Sequence, residues 1–412
     1  MPHIHHHHHL FKNYSLVRKL NIHFSVLWIL YWMGWTALWG FLSVYLLHRG
    51  FTNAQIGLVT GCNSLLCIFI QPALATFCDR NPRFTSRYLA MVLAVILMVC
   101  GTAAWLSDSI LLTSILLVIS GVAVTNITPH FNAMSMNMVL RGLDVNFGAS
   151  RGLGSVSYAV TNLVLGLLLA RYAPTLLLPI FLTCFGGLLV ALLLMRYRLP
   201  PLAAENKAKV APAVLSNFSL LRHYPRFALM LVACALLQIS RIPALTYMNQ
   251  VVSKVGGDES MMGTALFITG VLELPAMLVF TRLRRKLPLR WLMIGCSVFF
   301  FLRNIMFLLA ETTAMVYFAS SMNGLSYAIF LPASVYYVTE ELDSANQVKG
   351  QALVYTATAG IGSCLGSLCS GYLLDSSGGV TSTLIFASLA ALLGAAVMTL
   401  ALFAGKRKET TT

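Results

Sequence analysis

The sequence predicts an all-α membrane protein whose twelve transmembrane helices form two pseudo-symmetric six-helix bundles. Three observations carry that prediction. First, 58% of the 412 residues are apolar and only 10% are charged, with a mean hydropathy of +0.78, whereas a water-soluble domain carries about 25% charged residues. Second, one bilayer crossing takes roughly 20 apolar residues, so the chain has room for about twelve spans and no large extra domain. Third, the basic residues behind the formal charge of +15 sit in short tracts between apolar runs. That placement is a topology signal and argues against nucleic acid as the partner.

The first six spans are the apolar runs at about 22–47, 54–78, 86–107, 109–138, 150–171 and 174–196. Span 1 carries Trp28, Trp32, Trp35 and Trp39 on one helix face. Facing a cavity they could stack on a sugar or base; the rings spread along about 16 Å, too far for all to meet one small ligand, which favours packing and interfacial aromatics. In span 4, His130 follows Pro129 where a kink is expected. Residues 197–225, with Pro200, Pro201, Glu205, Lys207 and Lys209, form the one long polar stretch and are the expected linker. Spans 7 to 12 follow at about 226–252, 260–282, 288–309, 312–339, 345–373 and 378–404. Gly360, Gly362, Gly366 and Gly371 in span 11 are small residues that let helices pack.

The resulting organisation is a cytoplasmic tail at 1–21, a six-helix bundle at 22–196, the linker at 197–225, a second bundle at 226–404 and a cytoplasmic tail at 405–412. His3 and His5 to His9 in the first tail read as an affinity-tag remnant or flexible tail. Gln71-Pro72 and Arg87 recur 203 residues later as Leu274-Pro275 and Arg290, as parallel repeats would. Of the Lys and Arg outside the spans, 22 fall on the side of the termini and three, Arg49, Arg171 and Lys254, on the other. Both termini are therefore expected in the cytoplasm of a bacterium, with the chain in its inner membrane.

Nine cysteines are scattered through apolar runs and suggest neither disulfides nor a metal site. No zinc-hydrolase, phosphate-loop or serine-elbow motif occurs, so neither an enzyme nor a cofactor or metal is expected.

Between spans 2 and 3 the chain reads Ala75, Asp79, Arg80, Pro82, Arg83 and Phe84. This resembles the loop motif of the major facilitator superfamily, keeping the acid and two bases and lacking both glycines. The resemblance implies that Asp79, Arg80 and Arg83 latch one conformation. A closer resemblance is to the proton-coupled sugar and nucleoside symporters of the lactose permease type. It rests on Gln71-Pro72 ahead of Asp79 and on the run from Phe147 through Arg151 and Gly154 to Tyr158. It implies that Arg151 binds substrate hydroxyls and that Tyr158 stacks on the substrate. Glu273-Leu274 resembles the acid linking substrate to the proton site, and Arg303 the arginine beside it. The helix-4 carboxylate of that group falls on Asn132, and its span-10 histidine and glutamate fall on Asn323 and Ser326. Those departures imply a different coupling arrangement and argue against lactose.

Charge at membrane depth needs a reason whatever the family. Glu273 is the only deep carboxylate, set against Arg151, Arg241 and Arg303, with His130 in span 4. Glu273 is expected either to alternate between an arginine and a proton or to form a permanent ion pair. His130 is a further proton-carrier candidate with a hydrogen-bonded core residue as the alternative, and Arg241 leans structural. The resemblance and the charges together imply a secondary transporter in which Arg151, Tyr158 and Asn132 bind the substrate and Glu273, Arg303 and His130 couple protons. The expected partners are a small-molecule substrate (a sugar or nucleoside), protons and the lipid bilayer, with the protein a monomer. Proton-antiport efflux of drugs or sugars, organic-acid uptake, and a membrane sensor or scaffold on a transporter fold are the alternatives.

A reporter fused after Lys286 is expected on the cytoplasmic side and one after Gly257 on the periplasmic side; the reverse pair would remove the twelve-span assignment.

Overall fold

The computed structural model describes residues 3–201 and 216–403; the central part of the expected linker and the expected tail at 405–412 lie outside the described residues. The side chains of the His run are likewise outside them. Every regular element among the described residues is helical. Eleven helices are long and apolar enough to cross a membrane, and twelve when one bent pair counts as a single span. We label them α1 (Asn13–His48), α2 (Asn53–Arg80), α3 (Ser86–Leu106), α4 (Ile110–Leu140), α5 (Phe147–Leu169) and α6 (Pro174–Leu193). The second series is α7 (Pro225–Thr246), α8 (the pair Glu259–Ala276 and Leu278–Lys286, bent by 48°), α9 (Leu289–Leu309), α10 (Thr313–Glu341), α11 (Ser344–Asp375) and α12 (Gly379–Phe403).

Small polar residues set where the spans begin. Thr85, Ser109, Asp258 and Thr312 each accept a hydrogen bond from the backbone N–H three residues on, at the starts of α3, α4, α8 and α10. Each satisfies one of the four donors that a helix start leaves without an internal partner.

Several spans are interrupted in the middle, and proline follows three of the breaks. In α4 the helix stops at Thr125 and restarts at Ile127, with Asn126 between. The expected kink at Pro129 thus lies three residues earlier. Pro129 falls in the first turn of the restarted helix, where its missing N–H costs no internal bond. The same logic places Pro243 at the start of Pro243–Thr246 in α7 and Pro275 in the first turn of Glu273–Lys286 in α8. α10 breaks at the short 3₁₀ turn Met322–Gly324. α1 and α11 each pass through a π-helical segment, Thr36–Gly40 and Thr356–Gly362.

Contacts divide the chain into two units: Met1–Leu42, Phe69–Thr161 and Pro174–Val210 form the first; Ser43–Ile68, Asn162–Ala173 and Ala211–Thr412 form the second. The first unit is held by aromatic rings. Trp28 meets Phe131 edge-on at 5.4 Å, Tyr31 meets Phe185 at 6.2 Å, and the Tyr31 hydroxyl donates to Val124 O at 2.8 Å. At the end of α6, Arg87 donates to Leu192 O (2.7 Å) and Leu193 O (3.1 Å), while His23 Nε2 lies 2.5 Å from Ala191 O. These donors cover carbonyls that the helix itself leaves open.

In the second unit Arg226 covers the end of α12 in the same way, donating to Ala401 O (3.2 Å) and Leu402 O (3.0 Å). The Asp375 carboxylate closing α11 accepts both the Asn53 N–H (3.1 Å) and the Ala54 N–H (2.7 Å) at the start of α2. The 162–169 end of α5 packs on the start of α8 through glycine. A Cβ on Gly263 would lie 2.8 Å from the Gly166 Cα and would also strike Asn162 O.

Gly263→Val is therefore expected to cost about 1–3 kcal/mol through forced backbone separation and to lower the melting temperature of the detergent-solubilised protein. Gly186→Ala, where nothing lies within 4 Å of the added Cβ, should leave it unchanged.

Candidate functional site

Two polar clusters sit at membrane depth, one in each unit. In the first, seven residues separate Arg151 from Tyr158, two turns of α5, so they share a face. Gly154 lies between them on that face and makes a notch: a Cβ there would stand 2.8 Å from Trp32 Cδ1 and 3.1 Å from Trp28 Cβ. Removing the side chain brings α1 against α5. Trp32 and Trp35 then flank the Tyr158 ring at centroid distances of 5.7 and 6.0 Å, and lie 5.4 Å from each other. The exposed Arg151 guanidinium rests over Trp28 at 5.9 Å and Phe147 at 6.0 Å. Trp28 itself is 1% exposed, and its indole N–H has no partner among the described residues.

Asn132 is exposed on α4, and His130, two residues earlier, is buried. Two residues are about 200° of helix, so the pair cannot serve one face. Asp79 and Arg80 end α2, and Arg83 follows in the turn; all three are exposed, and no ion pair joins them among the described residues.

The second cluster gathers around Glu273, at the first residue of the restarted helix in α8. That position places a carboxylate at a helix N-terminus, where unpaired N–H groups favour negative charge. Asn323, in the α10 break, donates through Nδ2 to Glu273 Oε1 (3.1 Å) and to Thr269 O (3.1 Å). Arg241, from the end of the first helix of α7, places its guanidinium 3.5 Å above the Tyr327 ring centroid. Arg303 is buried at 3% exposure with its guanidinium 5.0 Å from the Phe307 ring. Both arginines act electrostatically on Glu273, and no ion pair joins it to either among the described residues.

The buried polar atoms of this unit with no hydrogen-bond partner among the described residues include Arg303 Nε, Asn304 Oδ1 and Asn323 Oδ1. An unsatisfied buried group costs about 1–3 kcal/mol, so all three are positions where a water or a moving side chain would be held. Among the described residues no three His, Cys, Asp or Glu are grouped to hold a metal.

The structure thus brings together Glu273, Arg303 and Asn323 in one unit, and Arg151 and Tyr158 in the other. Arg241 belongs with the first set, although no motif singled it out. Trp32 and Trp35 belong with the second, and the signal for them was Gly154, three residues after Arg151 and four before Tyr158 on the same helix face.

A model of the MFS_1 like family matches residues 21–385. No curated protein matches the chain. Several solved structures are similar to it at low identity. The nucleoside transporter NupG is 19% identical with a TM-score of 0.76, over 94% of this chain and 100% of that one. A bacterial homolog to human lysosomal transporter Spinster, in an inward-facing and unoccupied conformation, is 14% identical with a TM-score of 0.71, over 93% of this chain and 96% of that one. The D-xylose-proton symporter is 15% identical with a TM-score of 0.66, over 92% and 96%. At these identities the likeness establishes the fold and not the substrate.

Proposed function

The chain belongs to the MFS_1 like family and has the fold of a major facilitator superfamily transporter, and from that premise we propose that it is a proton-coupled symporter of a small polar solute, a sugar or a nucleoside. The observation that carries the proposal is Glu273. Among the described residues it is the only carboxylate deep in an apolar span, is bonded by a neutral Asn323 amide, and stands in the field of two arginines without an ion pair to either. A carboxylate so placed has two states of similar merit. Ionised, it is drawn toward Arg241 or Arg303; protonated, it is released from them and keeps the Asn323 bond. Arg303 supports the ionised state, and His130 in the other unit is a second candidate carrier.

The solute is assigned to Arg151, Tyr158 and Asn132, with Trp32 and Trp35 adding ring faces beside Tyr158. The planar guanidinium suits paired hydroxyls or a base carbonyl, and aromatic faces suit the apolar face of a sugar or the flat face of a base. That two of the similar structures are a nucleoside transporter and a D-xylose-proton symporter supports this substrate class. Solute binding and protonation of Glu273 are the events that alternating access links. The bundles at 22–196 and 226–404, joined by the linker at 197–225, are the moving bodies in this reading, with Asp79, Arg80 and Arg83 as the latch. The protein is placed as a monomer in a bacterial inner membrane, with both termini cytoplasmic. Organic-acid uptake is the second reading, favoured by the surplus of guanidinium groups over the single deep carboxylate.

In proteoliposomes Glu273→Gln is expected to abolish uphill, pH-driven uptake while downhill exchange persists. Unchanged uphill uptake would move the proton to His130 or off the side chains altogether. Arg151→Lys, which loses the fork of donors, should weaken solute binding roughly 10- to 100-fold. Tyr158→Phe keeps the ring and should weaken it less than about fivefold. Competition by carboxylates with no response to any sugar or nucleoside would overturn the substrate class and leave the fold standing.

A further inference from the structure

We propose that a groove on the first unit, between the start of α1 and the end of α6, is a seat for one anionic phospholipid. The groove has a volume of about 320 Å³ and is lined by Lys19, Ile22, His23, Val26, Leu194 and Tyr197, together with Ala191. Its position is that of a membrane border, because α1 begins at Asn13 and α6 ends at Leu193. Its two ends differ in chemistry. Ile22, Val26 and Leu194 are exposed apolar side chains, and Lys19, one helix turn before His23, is an exposed ammonium with no acidic partner among the described residues.

The polar end is built rather than incidental. A helix C-terminus is the negative end of the dipole and would normally repel a phosphate. Here the last carbonyls of α6 are already engaged: Ala191 O by His23, Leu192 O and Leu193 O by Arg87. His23 is held from its other side as well, with Nδ1 2.9 Å from the Tyr197 hydroxyl and the two rings edge-to-face at 5.7 Å. The donors answer the helix-end charge and leave the Lys19 ammonium as the positive charge lining the groove. A cation at the border above an apolar slot matches an amphiphile with an anionic head. Inorganic phosphate or a soluble nucleotide would satisfy only the cation. At the corresponding corner of the second unit, Arg226 covers the α12 carbonyls, and the Trp291 and Phe403 rings pack against each other at 5.6 Å beside Arg290.

The inference rests on the span assignment and on neither the solute nor the coupling reading, so transport and lipid binding fail separately. The test is native mass spectrometry of the full chain, delipidated in detergent and titrated with phosphatidylglycerol or phosphatidylcholine of identical acyl chains. Wild-type protein is expected to retain one phosphatidylglycerol more tightly than phosphatidylcholine. Lys19→Gln should reduce phosphatidylglycerol affinity about fivefold and erase the preference, and Val26→Trp, which fills the slot, should weaken both lipids. Arg171→Gln, on an exposed loop of the second unit, should change neither. Melting curves without lipid establish that each variant is folded. Equal binding of the two lipids by wild type, or a preference that survives Lys19→Gln, would overturn the proposal. So would inorganic phosphate raising the melting temperature as much as phosphatidylglycerol does, since that outcome makes the site an anion site without a lipid.

Discussion

A guanidinium cannot be neutralised by losing its proton at any ordinary pH, and in hydrocarbon it must therefore be answered by its surroundings. Among the described residues the apolar spans hold three deep arginines and one deep carboxylate. Each arginine rests over aromatic faces: Arg151 over Trp28 and Phe147, Arg241 over Tyr327, Arg303 over Phe307. Ring faces attract a cation without consuming it, because the quadrupole offers no lone pair in a fixed direction. The arginines are thus tolerated and yet remain available, which a permanent ion pair would not allow.

The same shortage of partners shapes the helices. In a bilayer every backbone donor and acceptor must be satisfied within the protein, so an interruption is tolerated only where something repairs it. Pro129, Pro243 and Pro275 each fall in a first turn, where no bond is lost. Asn126 bonds back to Val122 O at the α4 break, and Asn323 spans from the α10 break to Thr269 O and Glu273. The breaks and the functional groups coincide for one reason. An open turn supplies unpaired groups at depth, and at the α10 break one of them, Asn323, holds the Glu273 carboxylate.

The fold was legible because the length of an apolar run reports directly on the thickness of the bilayer. The matched family and the all-helical architecture agree with that reading. Glu273 stood out for a simple reason, since a single deep acid is costly wherever it lies. Arg241 did not, because its distinguishing feature is a ring 3.5 Å away that lies 86 residues on in sequence. The Trp stripe of α1 was visible as a helix face, but which face it turned to Tyr158 depended on the missing side chain at Gly154. The α4 break was expected at Pro129 and lies at Asn126, because a proline marks the beginning of the new helix and not the end of the old one.

The glycine contact between α5 and α8 carries a mechanical consequence. Gly166 and Gly263 meet backbone to backbone, so the surface there has no rotamers. Side chains that interdigitate must reorder when one helix shifts along another, and each reordering carries an entropic and steric barrier. A bare backbone seam has no side chain to reorder, so it fixes the separation of the two helices without adding the rotamer cost that interdigitated side chains would bring to a shift along it.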